Sequence, residues 1–236
     1  MHALGHTRSA SRADHLLQTP DTFVRSKLPQ ISKGTAIVHV DPGRGARFLQ
    51  YTAELECGGS LQPIPAQRFA YVLQGEARVG SDALAPGDYA YCPTGHPLEL
   101  IATQASRIAV IEKTYEPLSG IPEPTAFVGR ESNQPSDPLN GNAKLRVRSL
   151  LPVDLAFDLA VNTMEYDPGA SLPMVEIHTM EHGVLMLEGG GIMRMNDFWY
   201  PTGAGDFVWM APYCPQWFGA LGEVPAKYLI YKNWNR

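Results

Sequence analysis

Apolar and polar positions alternate over short stretches of this chain, and most of these stretches are bounded by glycine or proline. Residues 157–166, FDLAVNTMEY, alternate along a full strand length, which is typical of a half-buried β-strand. Similar apolar stretches predict strands at residues 35–40, 48–55, 107–113 and 228–232, two strands around a glycine turn at 69–79 and 183–194, and a strand framed by turns at 85–97 and 203–212. No stretch of about twelve residues has the periodicity of an amphipathic helix, so the pattern predicts an all-β fold.

The predicted strands occur in two similar sets. Residues 183–194 repeat the plan of 70–79, residues 203–212 that of 85–93, and residues 228–232 that of 107–113. A repeat at a spacing of roughly 115 residues indicates two similar β units. A segment rich in Pro, Gly, Ser and Asn separates them, as a connection does. We expect a mobile N-terminal segment at 1–20, a first barrel at 21–118, a linker at 119–148 and a second barrel at 149–236.

Composition and charge exclude several classes of partner. The 236 residues carry a net charge of −5, and the sequence contains no stripe of basic residues that would neutralise phosphates. We therefore expect no nucleic acid partner. No run of about 18 apolar residues is present and the N-terminus lacks the apolar core of a signal peptide, so we expect no membrane segment. The three cysteines are widely spaced and form no CxxC, which favours free thiols in the cytoplasm.

The candidate chemistry lies in the second half, between Glu176 and Gln216. In a strand, Glu176 and His178 share a face, with His182 close behind them in sequence. Gln216 follows a proline-rich turn after an apolar strand, and that turn could return its side chain over the same face. Two imidazoles, a carboxylate and an amide oxygen suit Mn²⁺ or Fe²⁺ better than structural Zn²⁺. Four such ligands on a six-coordinate ion leave two positions for substrate or water.

A rival interpretation uses the same residues. His178 to His182 also spell H-x-x-E-H, the inverted zinc-peptidase pattern, which requires a helix so that both histidines share one face. Val175 and Ile177 before the motif and Gly183 after it argue against a helix. Glu181 is left with two possible places, beside the metal ligands or on the surface.

The glycine-framed ligand segment and the later G-x5-x-P-x-x-P turn resemble the two cupin signature motifs. Glu176, His178 and His182 stand where the first motif has its ligands, and Gln216 where the second has its histidine. The resemblance implies a bicupin, with two tandem double-stranded β-helix (jelly-roll) barrels. The first half has different residues at the four ligand places: Gln62, Ile64, Arg68 and Leu98. Such a set will not hold a metal, so the first barrel is expected to be structural or to form a dimer.

Within bicupins, the segments W-Y-P-x-x-A-G-D, W-M-A-P-x-x-P-Q-W and Y-L-x-Y-K-x-x-N-R resemble the (S)-ureidoglycine aminohydrolase family, as does the early T-P-D. The resemblance implies a manganese hydrolase of purine (allantoin) breakdown that converts (S)-ureidoglycine to (S)-ureidoglycolate and ammonia. It also implies that Tyr228 and Lys232 contact a small anionic substrate. The chain departs from the family at Met193, where the family has a substrate-contacting tyrosine.

The residues themselves also favour an anionic ligand. A divalent ion with one carboxylate ligand keeps a net positive charge, and Tyr228, Ile230 and Lys232 share one strand face, which can bring a second positive charge inward. Two alternatives remain open. A metal-cupin oxygenase, oxidase or decarboxylase would differ in oxygen uptake, and a non-catalytic bicupin would bind a small molecule without turnover. A homo-oligomer is expected in each case.

Overall fold

The structure, a computed structural model, describes residues 6–97 and 99–236. Three short 3-10 turns occur in these ranges, at Pro20–Thr22, Pro42–Arg44 and Glu131–Asn133. None of the described helices is both long and apolar enough to cross a membrane. The strands are β1 (Ala10–Ser11), β2 (His15–Gln18), β3 (Arg25–Ser26), β4 (Ile31–Val40), β5 (Leu49–Leu61), β6 (Gln67–Gln74), β7 (Ala77–Val79), β8 (Asp82–Leu84), β9 (Asp88–Cys92), β10 (Leu100–Ala102), β11 (Ser106–Lys113), β12 (Phe127–Arg130), β13 (Asp137–Leu139), β14 (Asn142–Ser149), β15 (Leu159–Tyr166), β16 (His182–Glu188), β17 (Gly190–Met195), β18 (Phe198–Gly203), β19 (Phe207–Met210), β20 (Gln216–Ala220) and β21 (Ala226–Asn233).

The chain folds as two compact units, and the all-β prediction is confirmed. The N-terminal unit comprises Val24–Gln134, Pro152–Asp158 and Asn235–Arg236. Its sheet has the order β12-β9-β6-β11-β5-β10-β7-β8, with β4 also paired to β5 and β3 to β4. Tyr51, Ala53 and Leu55 alternate along β5 and all lie in the core, as the two-residue period of a strand requires.

The C-terminal unit contains the described residues up to Phe23, Pro135–Leu151 and Leu159–Trp234. One sheet has the order β1-β2-β19-β16-β21-β15-β14-β13, and a smaller one has the order β18-β17-β20. Side chains from both sheets form one apolar core, so the two sheets enclose a barrel interior. The turn between β16 and β17 requires glycine, since Gly189 has φ +61° and an added Cβ would lie 2.3 Å from the Pro225 carbonyl oxygen.

The stretch at 1–20 that the sequence predicts to be mobile contains two short strands in its described part. Its described residues form β1 and β2, and β2 pairs with β19, placing His15 opposite Met210. Leu17 on β2 is fully buried, and this burial explains why the segment docks on an otherwise open strand edge. Both strands are too short to produce a recognisable alternation in the sequence.

The linker predicted at 119–148 is divided between the two units. In the N-terminal unit β12 pairs with β9, and in the C-terminal unit β13 and β14 continue the sheet from β15. Residues 152–158 return to the N-terminal unit, where the fully buried Asp158 pairs with Lys113 and accepts a hydrogen bond from Gln67 at 2.6 Å. The proline-rich composition hides these pairings because they depend on distant partners.

A buried ion pair lies in the N-terminal unit. Arg68 and Glu112 lie opposite each other on β6 and β11, both are buried, and the guanidinium Nη2 lies 2.7 Å from the carboxylate Oε1. The Gln62 side chain bonds Ser60, Ile64 is half-buried outside the strands, and Leu98 lies outside the described residues. Gln62 and Arg68, at two of the predicted ligand places, thus bond protein groups, and a first barrel without metal stays a prediction.

Candidate metal centre and substrate cavity

A cavity of about 240 Å³ opens into the barrel of the C-terminal unit. Most of its wall is apolar, formed by methionine, leucine, valine, isoleucine and aromatic side chains. Six polar side chains that the sequence singled out also line it: Glu176, His178, His182, Gln216, Tyr228 and Lys232. Chain segments distant in sequence therefore bring the candidate ligands and the candidate substrate contacts to one site.

Glu176 and His178 lie in a loop, although the alternation predicted a strand there. Glu176 joins the sheet only through an isolated bridge to Gln216, and a second bridge joins Ser171 to Gly219. The segment from Ser171 to Glu176 is longer than the segment from Gln216 to Gly219 with which it pairs, so it bulges out of the pairing. Pro173 lies in this bulge and has no N–H to donate to a neighbouring strand. The bulge still leaves Glu176 and His178 on the cavity wall.

The two histidines point their free nitrogens at each other. His178 Nδ1 lies 3.1 Å from the Met180 carbonyl oxygen, and His182 Nδ1 lies 3.2 Å from that of Tyr231. A carbonyl oxygen only accepts, so each Nδ1 carries the proton and each neutral ring presents a lone pair at Nε2. The two Nε2 atoms are 3.2 Å apart. Two lone pairs at this separation repel unless a cation lies between them.

The other candidate ligands complete the donor set. Glu176 Oε2 lies 4.0 Å from His178 Nε2, and the side-chain amide of Gln216 lies 2.6 Å from the same nitrogen. A half-turn of that amide presents its oxygen in place of its nitrogen. Two imidazole nitrogens, a carboxylate and an amide oxygen then face one point, which suits a hard or borderline divalent metal. The residues present therefore fit a metal ion.

Burial keeps His182 neutral. Desolvation lowers the pKa of His182 well below its usual range, and the positive charge of Lys232 lowers it further. The segment from His178 to His182 is not helical, so the inverted zinc-peptidase interpretation is not supported. Glu181 is buried, accepts a hydrogen bond from the Trp209 indole at 3.3 Å, and so lies beside the ligands instead of on the surface.

Lys232 brings a positive charge to the cavity. It lies opposite His182 in the sheet and lines the cavity together with Tyr228 and Ile230, as the strand alternation predicts. Burial lowers the pKa of Lys232, and the nearby Glu176 carboxylate raises it in part. Within the described part of the chain, its ammonium group makes no hydrogen bond or ion pair. An anionic ligand would supply the missing partner.

Tyr228 has a partner that the sequence analysis missed. Its hydroxyl lies 2.7 Å from that of Tyr166, and it lies 3.3 Å from the sulfur of Met164. Burial raises the pKa values of both tyrosines, so both hydroxyls stay protonated. The alternation of residues 157–166 already placed Met164 and Tyr166 on one strand face. That signal could have identified Tyr166.

A second group of potential metal ligands occurs outside the cavity. Asp14, His15 and Cys214 place ligand atoms within 4.8 Å of one another. However, His15 Nδ1 donates to Asp14 at 2.9 Å, and its Nε2 bonds the Tyr200 hydroxyl at 2.8 Å. Burial raises the pKa of Cys214 to about 11, and the Asp14 charge adds to this, so the thiol stays protonated. In this structure Asp14 and His15 are thus hydrogen-bonded to each other, and the Cys214 thiol lies 3.7 Å from the Pro215 carbonyl oxygen.

The fold and the convergent donors define the cupin class, whose barrels commonly hold a divalent metal. The family model described as Cupin domain matches residues 162–231. The chain is 36% identical to the (S)-ureidoglycine aminohydrolase of Arabidopsis thaliana, covering 98% of this chain and 80% of the relative. It is 30% identical to the (S)-ureidoglycine aminohydrolase of Escherichia coli, covering 93% and 88%. The chain belongs to the (S)-ureidoglycine aminohydrolase family, and it is an enzyme of that kind.

A solved structure shares this fold over the full length of the chain. The glyoxylate-induced protein of Pseudomonas aeruginosa matches with a TM-score of 0.90 and 30% identity, covering 100% of this chain and 94% of that one. The resemblance seen in the sequence motifs is thus confirmed at the level of the family and the fold.

Proposed function

We propose that the protein is a manganese-dependent hydrolase that converts (S)-ureidoglycine to (S)-ureidoglycolate and ammonia in purine (allantoin) breakdown. The relatives carry the name of this activity over nearly the whole chain. The observation that carries the proposal is the cavity itself, where two unprotonated imidazole nitrogens and an unpaired lysine face one small volume.

In this proposal Glu176, His178, His182 and Gln216 hold the metal. Nitrogen and oxygen donors without thiolate favour Mn²⁺ or Fe²⁺, and Mn²⁺ is the ion we assign. When bound, the metal supplies Lewis-acid chemistry and a fixed point for the substrate. The backbone carbonyls of Met180 and Tyr231 hold the two imidazole rings in the orientation that binding needs.

Lys232 is assigned to the substrate carboxylate. Lys232 is half-buried and lines a mostly apolar cavity. An ion pair between its ammonium group and a carboxylate is stronger there than in water, because little water competes for the carboxylate. Tyr228 stays protonated and offers its hydroxyl for a hydrogen bond to the bound substrate. Together Lys232 and Tyr228 orient the aminal carbon of the bound substrate. The substrate has then already lost most of its translational and rotational freedom before the reaction begins.

The reaction exchanges two groups on that carbon. The C–N bond to the amino group breaks, a C–O bond to water forms, and the proton that water loses balances the one that ammonia gains. No oxidant or reductant is needed. The apolar wall limits the number of waters at the carbon, and Lys232 neutralises the carboxylate charge throughout.

The test is ammonia release from freshly prepared (S)-ureidoglycine by chelated protein, with and without added Mn²⁺. We expect release only with the metal, none from His182→Ala, and wild-type release from His6→Ala, which alters an exposed histidine of the same unit. Oxygen consumption is recorded alongside. No ammonia from fully metallated protein would remove the proposed substrate, and oxygen uptake with other carboxylates would indicate an oxygenase or decarboxylase.

Two further properties belong to the proposal. The three cysteines, Cys57, Cys92 and Cys214, are free, which fits an enzyme of the reducing cytoplasm. A homo-oligomer is expected from the behaviour of cupin proteins in general, and sedimentation would measure it.

A further inference from the structure

We infer that Asp14, on the N-terminal hairpin, is a positioning residue that holds Gln216 at the metal centre through Asn196. The inference rests on the proposed ligand role of Gln216. Asp14 does not line the cavity, so it touches neither the metal position nor the substrate position. It acts through a chain of hydrogen bonds that ends one residue before the ligand.

The first part of this chain joins the hairpin to a turn. Asn196 donates its side-chain amide to Asp14 Oδ2 at 2.7 Å. Asn196 lies in the turn between β17 and β18 with φ +56°, a left-handed conformation that few residues adopt without support. The Asp14 carboxylate therefore fixes the side chain of the residue whose left-handed backbone turns the chain from β17 into β18.

The second part joins that turn to the ligand. The backbone N–H of Asn196 donates to the carbonyl oxygen of Pro215 at 2.7 Å, and Gln216 is the next residue. The same turn brings Met195 opposite Gln216 in the β17–β20 pairing. Displacement of Asn196 would thus move the backbone from which the Gln216 side chain projects.

Asp14 is itself held from two other directions. Its backbone carbonyl accepts from Ala211 N–H at 2.9 Å, at the start of the loop that leads to Gln216. Its Oδ1 accepts from His15 Nδ1, whose ring is fixed by the Tyr200 hydroxyl. Burial acts to raise the pKa of Asp14, but the hydrogen bonds from Asn196 and His15 outweigh it, so the pKa is lowered and the carboxylate stays charged.

The variant Asp14→Asn separates this role from simple packing. Asparagine has nearly the same volume but only one acceptor oxygen, whereas two donors, Asn196 and His15, point at this side chain. One of them loses its partner. Asn196→Gly breaks the same contact from the other side and keeps a residue that tolerates φ above zero.

The matched control is Arg8→Gln. Arg8 lies on the same N-terminal segment and makes a bidentate ion pair with the buried Asp206, at 2.6 and 2.9 Å. Asp206 immediately precedes β19, whereas the ligand loop follows the other end of that strand. Loss of this pair should lower stability while leaving Gln216 in place.

The experiment titrates metal-stripped full-length protein with Mn²⁺ and measures the free ion by electron paramagnetic resonance. We expect Asp14→Asn and Asn196→Gly each to weaken Mn²⁺ binding about tenfold, as loss of a group supporting a metal ligand typically does, and Arg8→Gln to stay within about twofold. The double variant Asp14→Asn/Asn196→Gly should be no weaker than either single one, because both remove the same contact.

Three outcomes would overturn the inference, and they differ in meaning. Wild-type affinity in Asp14→Asn and Asn196→Gly, with weaker binding in Gln216→Ala, would leave the ligand set standing and exclude a positioning role for Asp14. Equal weakening in Arg8→Gln would assign the effect to docking of the whole segment. Unchanged affinity in Gln216→Ala would remove Gln216 from the ligand set, and with it the ligand role on which the inference rests.

Discussion

Glu176 and Gln216 exchange both of their backbone hydrogen bonds, with N···O distances of 2.8 and 2.9 Å. In an antiparallel pair of this kind, the side chains of opposite residues project from the same face. The bridge therefore explains why two side chains from distant parts of the sequence both reach the cavity wall.

This pairing gives a prediction for the charge of the centre. Gln216→Glu replaces an amide by a carboxylate, so Mn²⁺ should bind more tightly while the KM of an anionic substrate rises about tenfold through added repulsion. Gln216→Ala should instead weaken Mn²⁺ binding. Metal titration and steady-state kinetics on both variants would check this; equal KM values in Gln216→Glu and wild type would contradict it.

Lys232→Met should separate substrate binding from metal binding. A hydrogen bond to a charged group contributes about 1.5–3 kcal/mol, so kcat/KM should fall roughly 10- to 100-fold. Mn²⁺ affinity should be equal or higher, because a positive charge beside His182 is removed. Lys227→Met is the control, since Lys227 lies on the same strand but not on the cavity wall. Full activity in Lys232→Met would exclude the carboxylate contact.

Met193 tests the identity of the substrate. It is buried, lines the cavity and lies opposite Phe218 in the sheet. Met193→Tyr adds a hydroxyl, which should raise kcat/KM for (S)-ureidoglycine about fivefold through one further hydrogen bond. Met193→Leu keeps the wall apolar and should match wild type. A loss of activity in the tyrosine variant alone would indicate a substrate whose apolar part occupies this position.

The N-terminal unit should be sensitive to its internal ion pair. Arg68→Met leaves the buried Glu112 without its charged partner and should lower the free energy of unfolding by about 3–5 kcal/mol. The double variant Arg68→Met/Glu112→Gln should recover most of that loss. Denaturant unfolding of the three proteins would measure it, and a double variant as unstable as the single one would contradict the explanation.

His39 gives a prediction for acid stability. Burial lowers the pKa of His39 to about 3 from an ordinary value of 6.5, and the charge of Arg107 adds to this. Between these values the unfolded chain binds a proton that the folded chain does not. The free energy of unfolding should therefore fall as pH drops below 6.5, by up to about 1.4 kcal/mol per unit. His39→Gln should lose this part of the dependence, measured by denaturant unfolding at pH 7 and pH 5.

Much of the fold and of the cavity could be predicted from the sequence. Alternation identified the face shared by Tyr228 and Lys232, and glycine and proline marked the repeated turns. The strands at Ala10–Ser11 and His15–Gln18 could not be predicted, because each is too short for a period and its partner is distant. The position of Asp158 was hidden for a related reason, since its neighbours Gln67 and Lys113 are set by tertiary packing.

The ion pair of Arg68 and Glu112 occupies the same two sheet positions that His182 and Lys232 occupy in the other unit. At these two positions one copy of the repeat pairs its charges internally, while the other leaves its lysine to pair with what the cavity binds. A single substitution at either position of the first copy leaves a buried charge without its partner. Conversion of that copy into a second reactive centre must therefore change both positions at once, so the two halves of this duplicated chain are not interchangeable by small steps.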